Sequence, residues 1–309
     1  PQELVRRRGE PGGLGGEVEI PAGAVRRGDH RRRRGEDLAA GQPALRAGRR
    51  LRPADLGLAA SLGLAQLPVR PPLRVAIFST GDEITAPGMP LAPGCIYDSN
   101  RPALAAAVRR LGAEVVDLGL VRDDPAALAE VLAQALTQAD VVVTSGGVSA
   151  GDADHTRDLL ARHGDVSFWK VAMRPGRPFA FGPLRRQGGA GGPAWLFALP
   201  GNPVAALVAF HVFVREALQQ LAGATPEPLP MLSARCTGPI RKRPGRTEFP
   251  RAVVEPDGAG GWQVRVLPDQ GAGVLRSMSE ANALVVLDEA RDAVAAGEQV
   301  PVWLFDGLT

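Results

Sequence analysis

RVAIFST (residues 74–80) is a nearly continuous apolar run, typical of a β-strand that is buried on both faces. Two more strand patterns follow, EVVDLGLV (114–121) and DVVVTS (140–145), and a helical pattern precedes each of them. Three further strand candidates and an apolar helix complete the region: VSFWKVA (166–172), PFAFGPL (178–184), WLFALPG (195–201) and Pro203–Leu221. Strands that alternate with helices predict an α/β domain, with a mostly parallel sheet flanked by helices, over residues 73–222.

The residues on either side of this region have a different texture. Beyond Gly223, short β-prone runs are divided by Gly, Pro and Asp, which predicts a small all-β domain over residues 223–309. Residues 1–16 show no periodicity and are expected to be disordered. Residues 17–72 carry one helical stretch, PADLGLAASLGL (53–64), which is too little for a core of its own.

The composition excludes several classes of protein. The 309 residues are 45% apolar and 22% charged, which is usual for a globular chain of about two domains. A net charge of +3 gives no reason to expect a nucleic-acid partner. Cys95 and Cys236 lie far apart without a CxxC spacing, so we expect no disulfide framework, no structural zinc and a cytoplasmic location. The charge-free stretch 187–214 is broken by prolines and glycine, so we expect no membrane span.

Two glycines follow the strand at 140–145, in the sequence Ser145-Gly146-Gly147. Paired glycines let backbone N–H groups converge, and the N-terminus of the next helix adds a partial positive charge, so this turn is a candidate phosphate or oxyanion site. The alternative is a tight turn that requires positive φ. Ligands of open parallel sheets bind beyond the carboxyl ends of the strands, where this turn is expected to lie.

Acidic residues are expected at the same edge of the sheet. They are Asp82, Glu83, Asp98, Asp123, Asp124, Asp152 and Asp154. Carboxylates that converge there would repel one another unless a hard cation such as Mg²⁺ joined them. The alternative is helix capping, above all for Asp123, Asp124 and Asp154.

The segment KVAMRPGRP (170–178) carries three cations, Lys170, Arg174 and Arg177. Lys170 is one of only two lysines in an arginine-rich chain, and its compact charge suits an oxyanion or a phosphate. The alternative is a set of solvated surface charges. The four tryptophans are expected to pack in a core or barrel: Trp169, Trp195, Trp262 and Trp303.

Six stretches in register resemble the molybdopterin molybdenumtransferase family, which inserts molybdenum during molybdenum-cofactor biosynthesis and is related to the E domain of gephyrin. They are FSTGDE (78–83), IYDSNR (96–101), LGAEVVDLGLVRDDP (111–125), VVVTSGGVSAGDADHT (141–156), FWKVAMRPGRPFAFG (168–182) and LPGNPVAALVAF (199–210). A looser similarity continues through PGRTEFPRAVV (244–254) and PDQGAGVLRSMSEANALVVL (268–287).

The resemblance implies a fold and a reaction. Residues 73–222 would form a molybdopterin-binding α/β domain and residues 223–309 a small β-barrel, while 38–72 would be a return segment of the family's first domain and 1–37 a remnant of its N-terminal domain. Molybdate and adenylylated molybdopterin (molybdopterin-AMP) would be substrates, with Mg²⁺ as cofactor and AMP released. The resemblance also implies a cytoplasmic homodimer that works with the molybdopterin adenylyltransferase and binds neither nucleic acid nor membrane.

The resemblance further implies roles for individual residues. The catalytic positions would be Glu83, Asp123, Asp154 and Lys170. Of these, Glu83 and Asp123 would bind the metal. Substrate-binding positions would be Asp37, Ser145, Gly146, Gly147, Arg174, Arg177 and Arg251.

The chain departs from the family pattern at several positions. Arg174 and Arg177 stand where the family has lysines, so the charge is kept but proton transfer there is not expected. Ala272 stands where the family often has a serine, which removes one hydrogen bond. The family's N-terminal TGAxxP motif has no counterpart in residues 1–30, so an N-terminally truncated member is expected. Two alternatives stay open, a molybdopterin adenylyltransferase and a non-catalytic molybdopterin-binding scaffold.

Overall fold

The structure is a computed structural model that describes residues 6–8, 17–147, 159–186 and 192–305, with side chains from residue 20 on. The chain forms two compact units, Pro1–Leu67 and Pro68–Thr309. In the first unit, β1 (Arg6–Arg8) pairs antiparallel with β2 (Glu17–Glu19), and α1 (Pro53–Ser61) follows. Because β1 lies within the stretch expected to be disordered, that expectation is wrong for residues 6–8.

Six strands of the second unit form one sheet. They are β3 (Arg74–Thr80), β6 (Glu114–Val121), β7 (Val141–Ser145), β8 (Ser167–Lys170), β10 (Pro178–Leu184) and β11 (Ala194–Leu199). Their spatial order is β6-β3-β7-β11-β10-β8; the first four are parallel, and β10 runs antiparallel to both neighbours. Four short strands outside this sheet pair as β4 (Ile84–Thr85) with β5 (Ile96–Tyr97) and β9 (Met173–Arg174) with β13 (Thr247–Glu248).

Helices cover both faces of the sheet. One face packs on α2 (Asn100–Arg110) and on a continuous helix, Pro203–Leu221. The other face packs on α3 (Pro125–Gln138) and on residues 159–163, which are helical. The parallel order of β6, β3, β7 and β11 with helices on both faces confirms the predicted α/β fold, and β3 is buried beyond its first residue, as its apolar run indicated.

A closed five-stranded barrel follows the sheet domain. It consists of β12 (Met231–Cys236), β14 (Arg251–Pro256), β15 (Trp262–Val266), β16 (Ala283–Val285) and β17 (Gln299–Leu304), in the order β12-β15-β14-β16-β17. The predicted β-barrel is therefore confirmed, although the domain also holds a six-residue helix, Leu275–Glu280, which the sequence pattern did not indicate.

Backbone hydrogen bonds join the barrel to the sheet domain. β9 pairs in parallel with β13, and the amides of Thr247 and Phe249 donate to the carbonyls of Ala172 and Arg174 at 2.9 Å each. The amide of Val204 donates to the Ala272 carbonyl at 3.1 Å. Loops of the barrel are therefore fixed against the carboxyl edge of the sheet.

The helix Pro203–Leu221 is long and apolar enough, by length and composition, to cross a membrane. In the structure it is a core helix, built from α4 (Pro203–Ala209), a π-helical turn (Phe210–Val214) and α5 (Arg215–Leu221). Several of its apolar side chains, among them Val204, Val208 and Phe210, are buried at 1% exposure or less. Packing within the fold therefore accounts for its apolar composition.

His211 lies on the π-helical turn, and its ring stacks on Phe305 with 5.4 Å between centroids. Its Nδ1 has no hydrogen-bond partner among the residues that the structure describes. Burial, followed by the charges of Arg215 and Arg110, lowers the pKa of His211 to about 4. A histidine in the unfolded chain has a pKa of about 6.5. Between this pH and the folded pKa, the unfolded chain therefore binds a proton at His211 and the folded protein does not.

Acidification should therefore destabilise the protein through His211. Between pH 7 and pH 5, we expect the wild type to lose about 2 kcal/mol of unfolding free energy more than His211→Phe does. Urea unfolding of both proteins at the two pH values measures this difference, with the partly exposed His163→Phe as control. Equal pH dependence in the wild type and His211→Phe would contradict the assignment.

Candidate active site

A large cleft opens at the carboxyl ends of the parallel strands, where ligands of such sheets bind. Its volume is about 1260 Å³. The ends of β3, β7 and β11 form its floor through Thr80, Ser145 and Gly201, and loops of the barrel contribute Arg246 and Ala272. The cleft therefore lies between the two domains of the second unit.

The glycine pair lies on the floor of the cleft. Gly146 and Gly147 have φ values of +95° and +68°, so the turn does require positive φ. A Cβ on Gly146 would lie 2.5 Å from the carbonyl oxygen of Thr80, so no other side chain fits there. The Gly146 amide donates to the Leu199 carbonyl at 3.1 Å, so this N–H group serves the fold and is not offered to a ligand.

Asn100, the first residue of α2, links the ends of two neighbouring strands at this floor. Its Nδ2 donates to Ser145 Oγ at 2.5 Å and to the Gly201 carbonyl at 2.7 Å. Sequence reasoning did not assign Asn100 a role, although it lies in the quoted stretch IYDSNR. Because Ser145 Oγ accepts this bond, the predicted substrate-binding hydroxyl is held in a fixed orientation at the cleft floor.

The acidic residues separate into two groups. Glu83 and Asp123 line the cleft, as predicted. Asp124 instead caps α3, accepting from the Ala127 amide at 2.9 Å, so the capping alternative is right for this residue. Asp98 also borders the cleft, but it is buried and its Oδ2 accepts a hydrogen bond from Arg101 Nε at 3.0 Å, so it stabilises the fold.

Asp154 lies outside the described residues, as does Asp152. Across the described ranges, no group of three or more His, Cys, Asp or Glu side chains is arranged to hold a metal ion. Besides Asp98, the described part of the cleft therefore has two carboxylates that could bind a metal ion, Glu83 and Asp123.

The three predicted cations line the same cleft. Lys170 is the last residue of β8, Arg174 the last of β9, and Arg177 directly precedes β10. A hydrogen bond from the Val171 amide to the Arg177 carbonyl, at 2.9 Å, closes this segment. The barrel domain adds Arg246, to which the sequence analysis assigned no role although it lies in the quoted stretch PGRTEFPRAVV. Glu83 and Asp123 therefore share one cleft with these cations and with the glycine pair, whereas Asp154, the third predicted carboxylate, lies outside the described residues.

Trp169 does not pack in a core. Its side chain is 56% exposed and lines the cleft, so the packing expectation is wrong for this residue. The expectation holds for the other three: Trp195 stacks on Phe181, Trp303 stacks on Phe249, and Trp262 packs against the barrel core.

Arg251 is not brought into this cleft. Its side chain is 1% exposed and donates from Nε to Ser277 Oγ and from Nη2 to the carbonyls of Asp269 and Gly271, each at 3.0 Å. Burial lowers the pKa of Arg251; Asp269 opposes this shift and Arg174 adds to it. In the structure Arg251 holds the loop 269–272, which forms part of the cleft wall, and its predicted substrate-binding role stays a prediction.

Arg251→Met should destabilise the barrel domain. The substitution removes three hydrogen bonds that the buried guanidinium donates, to Ser277 Oγ and to the carbonyls of Asp269 and Gly271, so we expect the free energy of unfolding to fall by about 3 kcal/mol. Urea unfolding measures the loss. Arg265→Met, at an exposed position of β15, should stay within about 0.5 kcal/mol of the wild type. Equal stabilities of the two variants would refute the role given to Arg251.

Asp37 belongs to the first unit, where it is exposed. Its predicted contribution to substrate binding stays a prediction.

Comparison with protein families matches most of the chain, in three parts. A MoeA N-terminal region (domain I and II) matches residues 1–63, a probable molybdopterin binding domain matches residues 76–220, and a MoeA C-terminal region (domain IV) matches residues 233–305.

Individual relatives agree with these matches. The chain is 40% identical over 278 residues to a molybdopterin molybdenumtransferase of Haemophilus influenzae and 44% identical over 282 residues to molybdopterin molybdenumtransferase 2 of Mycobacterium tuberculosis. These alignments cover 90% and 89% of this chain and 67% of each relative, so the chain spans about two thirds of their length.

Solved structures support the same assignment. A molybdopterin biosynthesis MoeA protein from Pyrococcus horikoshii superimposes with a TM-score of 0.76 at 30% identity, over 99% of this chain and 71% of the other. A molybdenum cofactor biosynthesis protein from Pyrococcus furiosus gives 0.67 at 30% identity, over 88% and 82% of the two chains. The chain belongs to the molybdopterin molybdenumtransferase family, enzymes of molybdenum-cofactor biosynthesis.

Proposed function

We propose that this protein inserts molybdenum from molybdate into adenylylated molybdopterin and releases AMP, with Mg²⁺ as cofactor. The observation that carries the proposal is the meeting of opposite charges in one cleft: Glu83 and Asp123 with Lys170, above the glycine turn. Both substrates carry negative charge, and a cleft of about 1260 Å³ has room for a large ligand with a second small anion beside it.

The cations of the cleft would bind the anionic groups of the substrates. Lys170 and Arg174 would hold molybdate, because an ammonium and a guanidinium both suit a tetrahedral oxyanion. Gly147 would contact the phosphate of the pterin from the floor. Ser145, whose hydroxyl accepts from Asn100 and donates to the Pro200 carbonyl at 3.4 Å, would support that floor. Holding both substrates in one cleft removes much of the entropic cost of bringing them together.

The residues present fit a magnesium ion. Glu83 and Asp123 offer carboxylate oxygens, and Mg²⁺ commonly binds through one or two carboxylates together with substrate phosphates. When bound, the ion would neutralise negative charge on the phosphoanhydride of the substrate. The two side chains would act by binding it and by keeping it on the side of the cleft that they line.

Release of AMP tests the proposal directly. Purified protein is supplied with molybdopterin-AMP, molybdate and Mg²⁺, and AMP is followed by chromatography. Molybdate-dependent AMP release is expected. Folded protein that binds molybdopterin-AMP without turnover would reject catalysis by this chain and favour the scaffold alternative, whereas AMP transfer from ATP to molybdopterin would favour the adenylyltransferase alternative.

The family resemblance supports three further parts of the proposal. The protein would act as a homodimer, it would receive molybdopterin-AMP from the molybdopterin adenylyltransferase, and it would work in the cytoplasm. Light scattering of the purified protein tests the dimer: a mass of two chains is expected, and a single-chain mass would contradict it.

A further inference from the structure

Arg246 brings a cation from the barrel into the cleft. It lies directly before β13, the strand that pairs with β9 of the sheet domain. Its side chain is 39% exposed and lines the same cleft as Arg174 and Lys170. The barrel therefore supplies charge to a site that is otherwise built mainly by the sheet domain.

Glu248 fixes the position of this cation. Its side chain is 9% exposed, and its Oε1 accepts from Arg246 Nε at 2.9 Å. Its other oxygen, Oε2, lies 3.9 Å from Arg174 Nη1. Two backbone hydrogen bonds join Glu248 to Leu287: the Glu248 amide donates to the Leu287 carbonyl at 2.8 Å, and the Leu287 amide donates to the Glu248 carbonyl at 3.0 Å. The carboxylate therefore extends from a rigid strand.

The guanidinium of Arg246 keeps donors for a ligand. Its Nε is used by Glu248, while its two Nη groups donate no hydrogen bond to any part of the chain that the structure describes. Two Nη groups in one plane match two oxygens of a tetrahedral oxyanion. A guanidinium that is fixed at Nε loses little freedom when it binds such an anion.

We propose that Arg246 binds an oxyanion of the substrates, either molybdate or a phosphate group, and that Glu248 is the positioning residue for its guanidinium. The inference rests on the proposed function, because it takes the anion to be part of that reaction. Two cations that converge on one buried carboxylate leave a net positive wall, which is the charge that such an anion requires.

Binding of two probes tests Arg246 without turnover. Sodium molybdate and AMP are titrated calorimetrically into the wild type, Arg246→Ala and, as matched control, the exposed barrel variant Arg265→Ala. We expect Arg246→Ala to weaken binding of one probe about 10-fold, since a charge-assisted pair is lost, and Arg265→Ala to leave both unchanged. The weakened probe identifies the source of the oxyanion.

Two outcomes would overturn the assignment of Arg246. One is unchanged affinity of Arg246→Ala for both probes, which would leave the proposed function standing if AMP release is observed. The other is a wild type that binds neither probe. Failure of the AMP-release assay while the probes still bind would reject the proposed reaction and keep the oxyanion site.

If Glu248 positions Arg246, removing its carboxylate should change anion affinity in the opposite direction to the one that its charge alone predicts. Removal of a negative charge should strengthen anion binding if only the electrostatic potential mattered. Positioning instead predicts that Glu248→Ala weakens binding about fivefold, because Arg246 loses its anchor, whereas Glu248→Gln keeps an acceptor and stays within about twofold of the wild type. Thermal melting confirms that both variants fold. Tighter or unchanged binding in folded Glu248→Ala would overturn the positioning role.

Discussion

Lys170→Met should reduce the rate of AMP release about 100-fold or more, because it removes the ammonium that would face the developing negative charge of the reacting anions. Lys170 lines the cleft and is exposed to it. Methionine has a similar length and no charge, so the substitution tests the charge and not the shape. Steady-state AMP release with saturating molybdate measures the effect.

Two control variants test whether the loss of rate is due to the charge at position 170. Lys170→Arg keeps the positive charge and should recover most of the activity. Arg185→Met removes an exposed cation of the same domain that does not line the cleft, and it should leave the rate unchanged. A Lys170→Met protein that releases AMP within about twofold of the wild-type rate would exclude Lys170 from the reaction.

The second large effect is expected for Gly146→Ala. The new Cβ would lie 2.5 Å from the Thr80 carbonyl oxygen and 2.7 Å from Thr80 Oγ1, and the backbone would keep a φ of +95°. Backbone cannot move aside cheaply, so we expect the free energy of unfolding to fall by about 4 kcal/mol. The displaced turn should also lose measurable binding of AMP.

Gly112→Ala separates the two contributions to this loss. Gly112 has a φ of +82°, and a Cβ there would meet no atom of the described residues within 4 Å. The control therefore carries the cost of positive φ alone, about 1–2 kcal/mol, and should bind AMP like the wild type. If both variants lost the same stability, close packing of Gly146 on Thr80 would be excluded as a cause.

Local sequence patterns predict much of this fold. The apolar run at Arg74–Thr80 and the run at Val141–Ser145 become neighbouring buried strands of one sheet. Because parallel strands end at the same edge, residues that follow different strands, such as Glu83, Asp123 and Gly146, could be expected in one place. The structure brings these three together at the cleft.

Contacts between distant segments could not be predicted in this way. The pairing of β9 with β13 carries Arg246 into the cleft, and it joins residues more than 70 positions apart, beyond any periodic pattern. Arg251 illustrates the same limit, since its burial follows from hydrogen bonds to the loop 269–272. The exposure of Trp169 also depends on its place at the edge strand β8, which its apolar neighbours do not reveal.

The central claim is that one cleft holds the charged parts of both substrates between the carboxylates and the cations. A crystal structure of the protein with molybdopterin-AMP tests it most directly. We predict that the phosphoanhydride lies over Gly146 and Gly147, within hydrogen-bonding distance of Lys170. Glu83 and Asp123 should face the same bound ligand. A ligand bound outside this cleft, or with its phosphates beyond the reach of Lys170, would contradict the account.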